Sequence, residues 1–145
     1  MRFMVIVKAT KESEAGVMPT RDMLAAMGNF NEELVKAGIM QDGDGLQPSA
    51  KGARIRFSGK THSAIDGPFT ETKELIAGYW IIQVRSKEEA VEWAKRIPFS
   101  TEVHPGEHVE VEIRQILELE DLPVSPERVA AKKALEQKAL EQRKH

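Results

Sequence analysis

Gly78-Tyr79-Trp80-Ile81-Ile82-Gln83-Val84 is the run on which the reading of the fold turns. Both alternating sets of side chains are largely apolar, so it reads as a strand covered on both faces rather than a half-exposed one. Ser86-Lys87-Glu88-Glu89 follows at once and forms a capping box: Ser86 accepts from the amide of Glu89, whose carboxylate reaches back. The helix it opens turns Ala90, Trp93, Ala94 and Ile97 inward, and Pro98 ends it. The same succession opens the chain. Phe3-Met4-Val5-Ile6-Val7 is wholly apolar, and Pro19-Thr20 then starts a helix with Thr20 as N-cap and Asp22 in its first turn. Leu24, Met27, Asn31, Leu34 and Val35 trace its inward stripe, widened by Met23 and Phe30, and Gly38 stops it.

Between these two halves, Asp42-Gly43-Asp44-Gly45 reads as a turn; it lacks the later ligands of a calcium loop. Ala53-Arg54-Ile55-Arg56-Phe57 alternates as a strand, and Gly59-Lys60 turns it back through Thr61 to Ile65 into Asp66-Gly67-Pro68-Phe69. The closing strand runs from His108 to Leu119, with Val109, Val111 and Ile113 opposite Glu110, Glu112 and Arg114. Its apolar phase slips at Ile116, which predicts a bulge near Gln115. The order is β-α-β(hairpin)-β-α-β, an α+β fold of the ferredoxin-like β-α-β-β-α-β plan. Two helices cover one sheet face only. Strands apolar on both faces need a second cover, and a second copy of the sheet, hence a homodimer, supplies it. The domain is expected over 1–121, with 122–145 as a helical tail. There Leu135 and Leu140, five residues apart, stand about 140° from each other on a helix and make no seam.

Composition excludes several classes. A formal net charge of −2 leaves no basic field for direct contact with nucleic acid. Cysteine is absent, which rules out disulfides and thiolate chemistry and suits a cytoplasmic protein. No apolar run approaches the roughly 18 residues of a membrane span. Without a Gly-rich phosphate loop or G-x-S-x-G elbow, no cofactor is expected.

Titratable residues mark the candidate chemistry. Asp66 reads first as a turn-former and second as one of a set, with Glu71, Lys73 and Glu74, rimming a cleft where carboxylates divide acid and base roles. Phe69 anchors that loop. His104 and His108 have metal-ligand spacing only on a helix, which Pro105-Gly106 forbids, so no metal is expected. His108, at a strand start, is the better general base. Tyr79 and Trp80 point to opposite faces, one toward the helices and one toward a possible pocket. Met27 belongs to a soft methionine surface with Met18, Met23 and Met40.

The stretch Asp66-Gly67-Pro68-Phe69-Thr70-Glu71-Thr72-Lys73-Glu74, continuing to Gly78-Tyr79-Trp80, resembles the DGPF signature of the YCII-related family, DGPF-motif subgroup. Phe30-Asn31-Glu32-Glu33-Leu34, Gly45-Leu46-Gln47-Pro48 and Glu89-Ala90 to Trp93-Ala94 agree with it. The resemblance implies a dimeric α/β barrel binding a small molecule in an inter-sheet cleft, with Phe69, Glu71, Lys73, Tyr79, Trp80 and Met27 around it. The family's helix histidine falls at Met27 here, and no histidine occurs between residues 1 and 61. Members with this signature are associated with extracytoplasmic-function sigma factors, implying an accessory regulatory role. The alternative is a small-molecule lyase or hydrolase using Asp66 and His108 as an acid–base pair.

Overall fold

The computed structural model describes residues 1–99 and 108–143. Its elements are β1 (Arg2–Lys8), α1 (Lys11–Glu14), α2 (Arg21–Lys36), β2 (Met40–Gly45), β3 (Ala53–Ser58), β4 (Thr61–Asp66), β5 (Ile76–Gln83), α3 (Lys87–Ala94), β6 (Val111–Gln115) and α4 (Pro126–Arg143). Single 3₁₀ turns lie at Ser49–Lys51, Thr72–Glu74 and Leu119–Asp121. Met1–Gln115 and Ile116–His145 form two compact units.

Local signals set the helix ends. The Thr20 hydroxyl accepts from the Met23 amide at 3.1 Å and starts α2. Gly38, at φ +73°, stops it: its amide donates to Val35 O at 2.9 Å and that of Ile39 to Leu34 O at 3.1 Å. This is a Schellman motif, and Leu34 and Ile39, its usual apolar pair, are both buried. At α3 the Ser86 hydroxyl accepts from Glu89 N at 3.1 Å, while the Glu89 carboxylate accepts from Arg85 N at 3.0 Å.

In the four-stranded sheet the order is β2-β5-β1-β6, antiparallel throughout. β1-α2-β2 and β5-α3-β6 are thus split βαβ halves of a ferredoxin-like mixed α/β fold. The second strand of that plan is β2, which sequence reading takes for a turn, and the β3–β4 hairpin forms a separate two-stranded sheet. Packing explains the glycine that misleads. Gly43 lies opposite Trp80 in the ladder, and a Cβ there would stand 2.8 Å from the indole Cδ1. The glycine makes room for a neighbour's ring instead of turning the chain.

Phe3 and Val5 of β1, Trp80 and Ile82 of β5, Phe30 and Leu34 of α2 and Ala90 of α3 form the buried core. Trp80 meets Phe30 edge-on, centroids 5.6 Å apart at 83°, and its Nε1 donates to Asn31 Oδ1 at 2.8 Å. The true seam of α2 is therefore Met23, Met27, Phe30 and Leu34; Leu24 and Val35, expected inward, are exposed. Across β1 and β5, Met4 pairs with Ile81 and Ile6 with Tyr79 on the opposite sheet face, where all four are half-buried. Strand β6 ends at Gln115, paired with Phe3, and no bulge follows; β1 starts only one residue further on, so the ladder runs out. Among the described residues no helix is long and apolar enough to cross a membrane.

In the second unit, α4 buries no residue, and Leu135 and Leu140 are exposed. Lys132 faces Glu136 one turn on at 3.9 Å, an exposed pair of small worth.

Candidate functional site

The Asp66–Phe69 turn is fixed by three separate segments. β4 delivers it, and the Gly67 amide donates to Gly52 O at 3.0 Å across the mouth of the hairpin. The Gly67–Pro68 peptide is cis. A side chain at Gly67 would overlap the Ser49 carbonyl oxygen and stand 2.6 Å from its carbon, so only glycine passes here. Beyond the proline, Phe69 N donates to Ser49 Oγ at 3.0 Å.

Ser49 is itself held. Its hydroxyl donates to Glu14 Oε2 at 2.5 Å and its amide to Glu14 Oε1 at 3.1 Å, so one carboxylate grips both groups. Glu14 ends the short helix α1, which has its own capping box: Ser13 N donates to Thr10 Oγ1 at 3.1 Å, and Thr10 N to Ser13 Oγ at 2.8 Å. The relay Glu14–Ser49–Phe69 thus joins α1, the 3₁₀ turn and the motif.

Phe69 is half-buried, and the Arg54 guanidinium lies 4.0 Å over its ring. Arg54, Ile55, Arg56, Ile65 and Phe69 line an open cleft of about 330 Å³. Every hairpin residue is exposed, with Phe57 at 77% and Ile55 at 60%, and His62 stands edge-on to Phe57 at 6.2 Å.

Of the residues named from sequence, the structure brings only Phe69 to this cleft. Asp66 is exposed at the end of β4, opposite Ala53. His108 is exposed ahead of β6, and among the described residues no hydrogen bond or ion pair joins the two. Glu71 and Lys73 are exposed at the Thr72–Glu74 turn. Trp80 and Met27 belong to the helix side of the sheet, Trp80 within the core and Met27 packed against it. Tyr79 faces the other way. Its hydroxyl donates weakly to Asp42 Oδ2 at 3.4 Å. The charge of Asp42 above all, then partial burial and the charge of Asp44, raise the phenol pKa above its ordinary 10.0.

His104 lies outside the described residues. Among those described, no three His, Asp or Glu side chains gather as a metal site. Sequence reading missed Glu14, Ser49, Arg54 and Arg56. The two arginines were legible as a same-face pair on an alternating strand; Glu14 and Ser49, 35 residues apart, carry no local signal.

The YCII-related domain family matches residues 1–117. An uncharacterised protein of Rhizobium meliloti (strain 1021) is 34% identical over 86 residues, 59% of this chain. The match spans 64% of that relative's length. Among solved structures, the 5-chloro-2-hydroxyhydroquinone dehydrochlorinase TftG from Burkholderia phenoliruptrix AC1100, in complex with 2,5-dihydroxybenzoquinone, aligns at a TM-score of 0.44 and 18% identity. That alignment covers 83% of this chain and 97% of the other.

Proposed function

The chain belongs to the YCII-related family, and on that premise we propose that it binds a small molecule beside the Asp66–Phe69 turn. The observation that carries this reading is the relay from Glu14 through Ser49 to the Phe69 amide. Three segments distant in sequence converge to hold one aromatic side chain at the wall of an open cleft. Such fixing of a half-exposed ring contributes little to a core and is what a recognition surface requires. The cleft's size suits a ligand of modest dimensions, and among the described residues no acid–base pair lines it, which favours binding without turnover. An accessory, sigma-factor-associated function of the DGPF type would use the same binding event as its signal.

The test is a fragment screen by protein-observed NMR on the full chain. Hits should shift the amides of Arg54, Arg56 and Phe69, and Phe69→Ala should abolish those shifts while leaving core resonances in place. Hits that gather only on other surfaces would overturn the assignment.

The same reading includes a homodimer of the barrel type. Its support is the sheet face opposite the buried core, where Met4, Ile6, Tyr79 and Ile81 form an apolar centre that is only half-buried. Sedimentation equilibrium at micromolar concentration should give twice the 16.2 kDa chain mass, and Ile81→Glu should shift it toward monomer. A 16.2 kDa species for the unmodified chain would refute it.

A further inference from the structure

We infer that the cleft takes a small organic carboxylate carrying an apolar body, a ligand class that rests on the binding site proposed above. Arg54 and Arg56 are two residues apart on β3 and therefore project from one face, roughly 7 Å apart along the strand. Across the hairpin Arg54 faces Ile65, Arg56 faces Ser63 and Ser58 faces Thr61, so that face carries no acid. Asp66, the acid of β4, pairs with Ala53 and belongs to the other parity. Among the described residues no carboxylate lies within ion-pair distance of either guanidinium.

The net charge of the chain is negative, and carboxylates pair with Lys8, Lys95, Arg96, Arg114, Lys132 and Lys133 elsewhere. What distinguishes Arg54 and Arg56 is their placement: two guanidinium-bearing residues on one face of β3, with no acid opposite them in the hairpin, at the lining of one cleft with Ile65 and Phe69. Each guanidinium offers planar, paired N–H donors that match a carboxylate in geometry as well as charge. Arg54 lies with its carbon over the Phe69 ring, which holds the fork in one orientation and leaves its edge donors for a ligand. Ile65 and Phe69 beside these donors form walls that water solvates poorly, so the matching ligand has an apolar portion next to its anionic end. A bare inorganic anion would leave those walls wet; a neutral hydrophobe would leave both guanidinium groups without an anion.

Three probes separate these contributions: 4-phenylbutyrate, its neutral counterpart 4-phenyl-1-butanol, and inorganic phosphate. Each is titrated into the full chain while the Nε–H signals of Arg54 and Arg56 and the Phe69 amide are followed by NMR. The butyrate should bind at least about tenfold more tightly than either of the others, the scale of one charge-assisted hydrogen bond. Arg56→Gln, at an exposed strand position that leaves the Arg54–Phe69 contact in place, should weaken the butyrate by about tenfold and leave the alcohol unchanged. Equal binding of alcohol and butyrate at the cleft would overturn the carboxylate class while sustaining the binding site. Phosphate binding as tightly as the butyrate would also overturn it, since the apolar walls would then contribute nothing. If neither organic probe moves these three signals, the binding site itself falls and the ligand class with it.

Discussion

Replacing Ser49 by alanine removes one oxygen from the middle of the relay. Two hydrogen bonds disappear with it: acceptance from Phe69 N at 3.0 Å and donation to Glu14 Oε2 at 2.5 Å. A neutral bond contributes about 1 kcal/mol and one to a carboxylate about 1.5–3. All three groups are only partly buried, so water replaces some of the loss, and a net cost of about 2 kcal/mol is expected. With an unfolding entropy of about 2.1 cal/mol/K per residue, a chain of 145 residues should lose about 7 °C in melting temperature. Thermal unfolding by circular dichroism reads this directly. Glu14→Gln keeps one acceptor for the Ser49 amide and should cost about half as much, and the double variant should show coupling of about 1 kcal/mol. Hydrogen exchange adds a local readout, because the Phe69 amide should lose protection while that of Trp80 keeps it. A Ser49→Ala protein melting within about 1 °C of the parent, with Phe69 still protected, would refute the relay as what holds the turn.

Gly67→Ala should cost about 3 kcal/mol or more, because the new methyl meets backbone at Ser49 that cannot rotate aside; chemical denaturation measures it, with Gly28→Ala, in open space on α2, as the benign control. Trp80→Phe keeps the ring packing and strands Asn31 Oδ1, and equilibrium unfolding should show a loss of about 1–2 kcal/mol. The single tyrosine makes a spectroscopic test clean: absorbance titration should place Tyr79 above 10.0, and Asp42→Asn should bring it down. Because the folded state favours the protonated phenol, its stabilising contribution is complete below pH 10.0 and declines as pH rises from there through the folded pKa. Deleting residues 125–145 should leave the melting temperature of the remainder within a few degrees, since no residue of α4 is buried.

The helices were legible because their ends are written in short-range chemistry. Thr20, Gly38 and Ser86 each act on an amide or carbonyl within four residues, and all three work where sequence places them. Strands β1 and β5 were legible because apolar residues fill both parities. Strand β2 was not, because its two glycines answer to neighbours in the sheet: Gly43 to the Trp80 ring, and Gly45 to its pairing with Gly78. The seam of α2 was misjudged by one step because Leu24 and Val35 are as apolar as the residues that pack, and only the placing of Trp80 against Phe30 and Asn31 decides which face turns in. For the site, Phe69 could be read from its motif. Glu14 and Ser49 could not, since a hydrogen bond between residues 35 apart leaves no periodicity in the chain. Arg54 and Arg56 stood in plain alternation, and what sequence lacked was the absence of acids opposite them.

The main sheet pairs β2 with β5 across the base of the excursion that carries the cleft. Leu46 N donates to Ala77 O at 2.8 Å, so the chain departs from β2 and re-enters at β5 through a single pinned doorway. All that lies between, the 3₁₀ turn, the hairpin and the Asp66–Phe69 turn, is a detour whose two ends are already neighbours. Lengthening or replacing such a detour changes loop-closure entropy only logarithmically, and the ladder between β2 and β5 continues whatever the detour contains. Changes in length or sequence between these two paired points therefore fall on the hairpin and the turns and not on the ladder that joins β2 to β5.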